Sequence, residues 1–209
     1  MHLPLLIFAS INQSLRNMIR PTLYFLLLLT LASCKTDYTS LPTYSPNKQL
    51  QAVIETPAGN TRRLVYNKES QDFVPDLNAG LEREVGFLPY PGNLGFIPST
   101  EIDKNGKGLE VLVLAERREP GTEMEVIPVG LMQLENNGEL RHIVVAVPSR
   151  PSERRIDAIN YESFSKNYPG AKAILQIWFS NYNKSANTKF VGWRDEKFAE
   201  KEVQRWMRL

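Results

Sequence analysis

Residues 100–116 read T-E-I-D-K-N-G-K-G-L-E-V-L-V-L-A-E, a polar, glycine-containing loop that leads into an apolar run. The V-L-V-L-A part is continuously apolar, which is typical of a strand covered on both faces. Glu110 is a single carboxylate where the loop meets this strand. A rigid strand end suits a metal ligand, yet Lys104, Asn105 and Lys107 occupy the loop where further acids would be needed.

The N-terminal part of the 209-residue chain differs in character from the rest. A basic start at residues 18–20 is followed by the apolar run Y-F-L-L-L-L-T and then by L-A-S-C. This run is too short to span a bilayer and ends in small residues, so we predict a cleavable export signal over residues 1–33. Met18 is a second candidate start site within that signal. The remaining chain is long enough for one domain with a sizeable core.

The L-A-S-C sequence resembles a bacterial lipobox, in which the cysteine becomes the lipidated first residue of the mature protein. Cys34 is the only cysteine of the chain, and the alternative is an ordinary cysteine beside a buried helix. We predict lipidation of Cys34 and an exported protein anchored to a bacterial membrane, facing the periplasm or the cell surface. Residues 34–47 contain prolines, serines and threonines and are predicted to form a tether. The folded domain is predicted over residues 48–209.

The charge balance argues against nucleic acid as a partner. Arg16 and Arg20 lie in the signal, so the remaining chain holds 23 basic and 23 acidic side chains. A nucleic-acid-binding domain normally carries a clear excess of basic residues. The absence of a second cysteine also means that the domain has no disulfide and depends on its core.

The domain begins with strand-like segments and ends with helical ones. Strands are predicted at residues 51–56, 62–67, 110–116, 123–134 and 142–147, and helices at residues 171–182 and 195–208. The P-A-G-N-T sequence after the first strand predicts a hairpin between the first two strands. Residues 87–100 hold many prolines and glycines and are predicted to be a structured loop. This order indicates an α+β fold, with a small closed or nearly closed β-barrel and two C-terminal flanking helices.

Six short motifs, in this order and spacing, resemble the soluble inorganic pyrophosphatase family. They are V-I-E-T-P (53–57), Y-P-G-N-L-G-F-I-P-S-T (90–100), E-V-L-V-L (110–114), P-V-G (128–130), V-V-A-V-P (144–148) and V-G-W (191–193). The resemblance implies an OB-like barrel and the hydrolysis of diphosphate to two phosphates. It also implies Mg²⁺ as the cofactor, held by clustered carboxylates. Because family members are often oligomers, it implies a homo-oligomer as well.

The family's main metal motif is D-x-D-P-x-D, and the resemblance places its three acids on Asn105, Lys107 and Glu110. Only Glu110 keeps a carboxylate, and it is the candidate catalytic residue and metal ligand. An amide oxygen at Asn105 would coordinate weakly, and a lysine ammonium has no lone pair to offer. The loop is one residue longer than the family's, so Asp103 is a candidate replacement ligand. Glu55, on the first strand, matches an acid that the family carries near its site.

A second family metal segment falls on L-E-N-N-G-E-L-R-H-I, residues 134–143. Its first acid aligns with Asn136, with Glu135 beside it as a candidate ligand, and its second acid aligns with Arg141. The family's lysine in this segment aligns with Ile143, which cannot make a charge-assisted hydrogen bond.

The phosphate-binding residues implied by the resemblance are partly kept. Arg63 replaces a lysine and can hold phosphate bidentately. Tyr182 matches the tyrosine of a Tyr-Lys pair, with Lys184 one position beyond the lysine. An aspartate, Asp76, falls at or near an arginine position, and Leu94 replaces a tyrosine.

Two hypotheses follow. In the first, the protein is an Mg²⁺-dependent diphosphatase of low activity that uses Glu110 with Asp103, Glu55 or Glu135. In the second, it is a non-catalytic binding or structural lipoprotein of the cell envelope. The replaced carboxylates favour weak or absent activity, because loss of one preorganised charged group typically costs about 2–4 kcal/mol of transition-state stabilisation.

Overall fold

The computed structural model describes residues 35–78, 80–102, 106–183 and 188–208. The chain divides into two compact units, residues 1–36 and 37–209, and only residues 35 and 36 of the first unit are described. The predicted signal at residues 1–33 and the predicted lipidation at Cys34 therefore lie outside the described residues. Among the helices that are described, none combines the length and the hydropathy required to cross a bilayer.

The second unit contains ten described strands and three described α-helices. The strands are β1 Leu50–Thr56, β2 Leu64–Asn67, β3 Asp72–Pro75, β4 Leu77–Asn78, β5 Leu81–Glu82, β6 Asn93–Ile97, β7 Leu109–Val113, β8 Glu123–Asn136, β9 Glu139–Pro148 and β10 Lys189–Arg194. The helices are α1 Tyr161–Asn167, α2 Pro169–Asn181 and α3 Glu196–Trp206, and short 3-10 helices occupy Tyr38–Ser40 and Pro151–Glu153.

Five strands form a ring in the order β1-β6-β7-β9-β8, which closes because β8 also pairs with β1. The pairing of β7 with β9 is parallel, and the other pairings in the ring are antiparallel. The 14-residue strand β8 is long enough to serve β1, β9 and the added edge strand β10. The predicted α+β class and the small barrel with C-terminal helices are confirmed.

Alternate residues of the ring strands face two different cores. An inner cluster takes side chains from all five ring strands, among them Val111 on β7 and Val144 on β9, and includes Ala199 and Val203 of α3. An outer cluster includes Leu112 of β7 and packs against α1 and α2. All five residues of β7 are buried, so the prediction of a strand covered on both faces is confirmed.

Helix α2 packs against the barrel through Leu175, Trp178 and Phe179, which are buried, whereas Ile174 and Ile177 are 60% and 57% exposed. The apolar residues of this helix lie on more than one of its faces. The face that carries Trp178 and Phe179 is the one that packs against the sheet. Helix α3 begins as predicted, since the Asp195 carboxylate accepts a hydrogen bond from the Phe198 N–H.

Two predicted features of the early strands are wrong. Strand β1 pairs with β6 and β8, whereas β2 pairs with β3, so the first two strands do not form a hairpin. The chain does turn back after β1, but its link to β2 runs through the Thr56 hydroxyl, which bonds both the N–H and the C=O of Leu64. The predicted loop at residues 87–100 contains β6, whose residues are all buried.

Gly95 explains why a glycine-containing stretch forms a central strand. A Cβ at this position would lie 1.9 Å from the Val53 carbonyl oxygen, so only glycine lets β6 approach β1 this closely. The turn between β8 and β9 is another special backbone site. Asn137 and Gly138 have φ values of 52° and 91°, which are the left-handed angles of a tight two-residue hairpin.

Much of the predicted tether packs on the domain. Thr43 is buried and its hydroxyl donates to the Pro98 carbonyl, and the Gln51 N–H donates to the Thr43 carbonyl. Tyr38 lies against the rings of Tyr66 and Phe73. Residues 37–47 therefore belong to the folded unit, because their apolar and hydroxyl groups find partners on the barrel.

We expect Gly95→Ala to lower the free energy of unfolding by about 3 kcal/mol, since the new methyl group can be accommodated only by separating β1 from β6. Chemical denaturation of the variant and the wild type measures this difference. Gly86→Ala is the matched control, because no atom lies within 4 Å of its added Cβ. Equal losses in the two variants would contradict the close-approach explanation.

Candidate functional site

Glu110 lies on β7 and is only 2% exposed. Its Oε1 accepts a hydrogen bond from Arg63 Nη2 at 2.7 Å, and its Oε2 accepts one from Arg141 Nε at 2.5 Å. Lys107 Nζ lies 3.3 Å from Oε1. Both oxygens of this buried carboxylate are therefore bound to cationic side chains of the same chain.

The register of the sheet brings Arg141 to Glu110. Strand β7 runs parallel to β9 with Glu110 beside Ile143, and Arg141 precedes Ile143 by two residues, so it points to the same face. Arg141 Nη1 also donates to the Tyr182 hydroxyl at 2.6 Å. The Tyr182 ring stacks on Trp178, with 5.0 Å between the ring centroids. Tyr182 is thus part of the outer core and holds Arg141 in place.

Arg63 is held from the other side by the segment that contains β2 to β5. Its guanidinium is 4% exposed, and its Nε lies 3.3 Å from Asp76 Oδ2, while Arg83 Nη1 lies 3.4 Å from the same oxygen. The aspartate therefore pairs with two arginines at once. Arg62, the neighbour of Arg63, is exposed and pairs with Glu82.

The pKa values follow from this arrangement. Burial opposes the charge on Glu110, but Arg141, Lys107 and Arg63 outweigh it and hold the pKa of this carboxyl well below its usual range. Burial likewise opposes the charge on Arg63, and chiefly Glu110 raises the pKa of this guanidinium above its ordinary value.

Glu55 has a different environment. Its carboxylate accepts a hydrogen bond from the Tyr66 N–H at 2.8 Å, and burial raises its pKa to about 7. Glu55 is therefore partly protonated at neutral pH and adds little negative charge to the site.

This donor set does not fit a magnesium ion. Mg²⁺ requires several oxygen ligands in octahedral geometry, and the cations bound to both oxygens of Glu110 would repel it. Throughout the described ranges, no group of three or more His, Cys, Asp or Glu side chains is placed to hold a metal ion. Asp103 and Asn105 lie outside the described residues.

The remaining predicted site residues occupy different places. Glu55, Arg63 and Glu110 line one pocket, and Arg141 links Tyr182 to Glu110. Glu135 does not line this pocket, and its carboxylate lies 3.4 Å from Lys189 Nζ. Lys184 lies outside the described residues.

The pocket has a volume of about 540 Å³, which is within the usual range for small-molecule sites, and residues of β2 form part of its lining. Four basic and four acidic side chains line it, and Thr39 lines it as well. The basic ones are Arg63, Lys68, Arg83 and Lys107, and the acidic ones are Glu55, Glu69, Asp76 and Glu110. Arg83 and Lys68 were not among the predicted site residues, because no motif of the family resemblance falls on them. Lys107 and Arg141 were identified from the sequence as cations at ligand positions, but not as partners of Glu110.

Comparison with known proteins agrees with this fold. Residues 52–209 match a family model described as inorganic pyrophosphatase. The inorganic pyrophosphatase of Thermus thermophilus is 35% identical over 162 residues, which are 73% of this chain and 85% of that protein. That of Mesorhizobium japonicum is 29% identical over 163 residues, covering 76% of this chain and 88% of that protein. A crystal structure of the Thermus thermophilus inorganic pyrophosphatase superposes with a TM-score of 0.69, covering 82% of this chain and 97% of that chain at 29% identity.

We expect Glu110→Gln to lower the free energy of unfolding by about 3–5 kcal/mol, because it leaves Arg63 and Arg141 buried without their counter-charge. Urea denaturation at neutral pH measures the change. Glu119→Gln, at a 73% exposed side chain, is the control and should shift stability by less than about 0.5 kcal/mol. A similar small effect at Glu110 would show that its ion pairs contribute little.

The same pairing predicts a pH dependence. Because the folded pKa of Glu110 is depressed, its contribution to stability is complete above the ordinary carboxyl pKa of 4.5 and is lost as pH falls below it. Between pH 4.5 and 3, the wild type should lose up to about 1.4 kcal/mol per pH unit more than Glu110→Gln. Parallel stability curves for the two proteins, measured by denaturation at several pH values, would contradict this expectation.

Proposed function

We propose that this chain, which belongs to the inorganic pyrophosphatase family, is a membrane-anchored member with weak or no Mg²⁺-dependent diphosphate hydrolysis. Its barrel pocket would instead bind anions that carry phosphate. The observation that supports this proposal is the binding of both Glu110 oxygens to cationic side chains, at 2.7 Å to Arg63 and 2.5 Å to Arg141.

Hydrolysis of diphosphate through bound Mg²⁺ needs ligands that are free to approach the metal. An ammonium or guanidinium group has no lone pair for a metal, and Lys107 and Arg141 stand where the family motif has acids. Their contacts with Glu110 also mean that a metal would have to displace buried ion pairs before reaching the carboxylate.

The charges around the pocket support anion binding. Four cationic groups, on Arg63, Arg83, Lys107 and Arg141, surround the carboxylates of Glu110 and Asp76. Lys68 adds a further cation to the pocket lining, and Glu69 and the partly protonated Glu55 add two carboxyl groups. The basic groups therefore slightly outnumber the ionised acids, and guanidinium groups bind phosphate oxygens well.

The anchor is proposed from the N-terminal sequence. The apolar run and the L-A-S-C ending support removal of residues 1–33 and lipidation of Cys34. The protein would then be exported and face the periplasm or the cell surface. Multiple acyl chains on the cysteine would give stable anchoring.

We expect the purified protein to release phosphate from Mg²⁺-diphosphate at least about 1,000-fold more slowly than the Thermus thermophilus inorganic pyrophosphatase assayed beside it, since preorganised charge stabilisation is lost. Phosphate release at several Mg²⁺ concentrations measures the difference. Turnover that rises with Mg²⁺ and falls in Glu110→Gln would contradict the proposal and establish the hydrolase.

A charge-restoring variant serves as the control for this experiment. In Lys107→Asp/Arg141→Asp, carboxylates replace two of the cations that contact Glu110. Mg²⁺ should raise the thermal unfolding midpoint of this variant by several degrees and leave that of the wild type unchanged. An equal Mg²⁺-dependent rise in the wild type would show that its own residues hold the ion.

A further inference from the structure

A second polar cluster lies on the opposite face of the sheet from Glu110. His142 follows Arg141 directly on β9, so the two side chains point to opposite faces. Helix α3 packs on this second face, and its Glu202 is only 6% exposed. The Glu202 Oε2 atom lies 2.8 Å from His142 Nδ1 and accepts a hydrogen bond from the indole N–H of Trp206 at 3.1 Å. Neither His142 nor Glu202 lines the pocket around Glu110.

Arg194 fixes the orientation of the Gln133 amide. Arg194 Nε lies 2.7 Å from Gln133 Oε1, and an arginine can only donate hydrogen bonds. The amide oxygen therefore faces Arg194, and the NH2 group faces His142, whose Nε2 lies 3.0 Å from the amide nitrogen. Gln133 is 7% exposed, so water has little access to either end of this amide.

This orientation selects one form of the His142 ring. Because the NH2 group of Gln133 donates, His142 Nε2 accepts through its lone pair and carries no proton. The proton of the neutral ring is then on Nδ1, which donates it to Glu202. Burial opposes the charge on Glu202, but hydrogen bonds from His142 and Trp206 lower the pKa of this carboxyl. One chain of hydrogen bonds thus runs from β10 through β8 and β9 to α3.

A proton on His142 is incompatible with this chain. The charged imidazole donates from both nitrogens, so its Nε2–H would meet the NH2 group of Gln133. The amide can turn its oxygen toward His142, but its NH2 group then meets the Nε–H of Arg194. The contact with Arg194 is the one that is given up, because this side chain is exposed and water can replace Gln133. The buried Glu202 keeps the charged imidazole as its partner.

The other charged groups beside this cluster are already paired within the described part of the chain. On α3, Arg205 Nη1 lies 3.4 Å from Glu202 Oε1. On β8 and β10, Glu135 Oε1 and Lys189 Nζ lie 3.4 Å apart. These pairs leave Gln133 as the group that must respond to a proton on the histidine.

We propose that Arg194, Gln133 and His142 form a proton-sensitive latch on β10, the edge strand that pairs with β8 alone. With His142 neutral, the hydrogen-bond chain holds Arg194 to the sheet. When His142 takes up a proton, the Gln133 amide turns and Arg194 is released to solvent. Because the latched arrangement binds the proton less tightly than the released one, acid shifts the population toward release.

Nitrogen-15 NMR of the full chain in a mild detergent tests the latch between about pH 8 and pH 5, the range in which histidine ordinarily changes its charge. The chain has one other histidine, His2, so His2→Gln assigns the ring signals. We expect the neutral His142 ring to carry its proton on Nδ1 and the Arg194 Nε–H signal to shift as the ring is protonated. A neutral ring protonated on Nε2, or an Arg194 signal that ignores the protonation, would overturn the proposal.

Release should also loosen the edge strand. We expect the β10 amides that bond to β8 to lose about tenfold of their protection against hydrogen exchange once His142 is protonated, since a hydrogen bond to a charged group is lost. Amides of β7, which lies between β6 and β9, are the internal reference. Equal losses in β7 and β10 would indicate a global effect and overturn the latch.

Two substitutions of Gln133 separate the latch from a simple loss of packing. In Gln133→Glu, the carboxylate accepts from both the protonated ring and Arg194, so Arg194 should stay bound throughout the titration. In Gln133→Leu, no acceptor remains, so Arg194 should be released throughout. A pH-dependent step in the Arg194 signal that persists in either variant would overturn the proposal.

Glu55 requires its own control, because burial raises its pKa to about 7 and it titrates in the same range. We expect Glu55→Gln to keep the step in the Arg194 signal and His142→Gln to abolish it. Loss of the step in Glu55→Gln would overturn the assignment of the switch to His142.

Discussion

The pairing of one buried carboxylate with two buried guanidinium groups governs this site. A charge removed from water costs several kcal/mol unless a partner and hydrogen bonds compensate it. Glu110, Arg63 and Arg141 are each 12% exposed or less at the side chain, so each depends on the others. The arginines use both oxygens of Glu110, and this leaves the carboxylate as an internal counter-ion. Glu110 therefore needs no metal ion to compensate its charge.

The barrel creates this pairing through its one parallel contact within the ring. Because β7 and β9 pair with each other in parallel, Glu110 lies beside Ile143, which is two residues from Arg141. Tyr182 on the far end of α2 then fixes Arg141 by its hydroxyl, and Asp76 fixes Arg63. Segments that are distant along the chain thus supply the charges, while the rigid sheet sets their separation.

Much of the architecture could be predicted from local pattern. Strands β1, β8 and β9 and helices α2 and α3 occur close to their predicted positions, because their apolar periodicity reflects the faces they bury. Strand β6 was not predicted, because glycine is also common in loops. Gly95 occupies this strand because β6 approaches Val53 closely, and that approach exists only in the assembled sheet. The Asn137-Gly138 pair is a sequence signal for a two-residue hairpin turn, and the predictions did not use it.

The sequence by itself determined the family, the barrel class and the presence of Lys107 and Arg141 in the motif-bearing segments, because motif order and residue identity are properties of the linear chain. Only the tertiary structure decided that these cations bind Glu110 and that Arg63 joins them. The reason is physical: a charge's partner depends on distances across the sheet and on exclusion of water, and both arise only when the strands have paired.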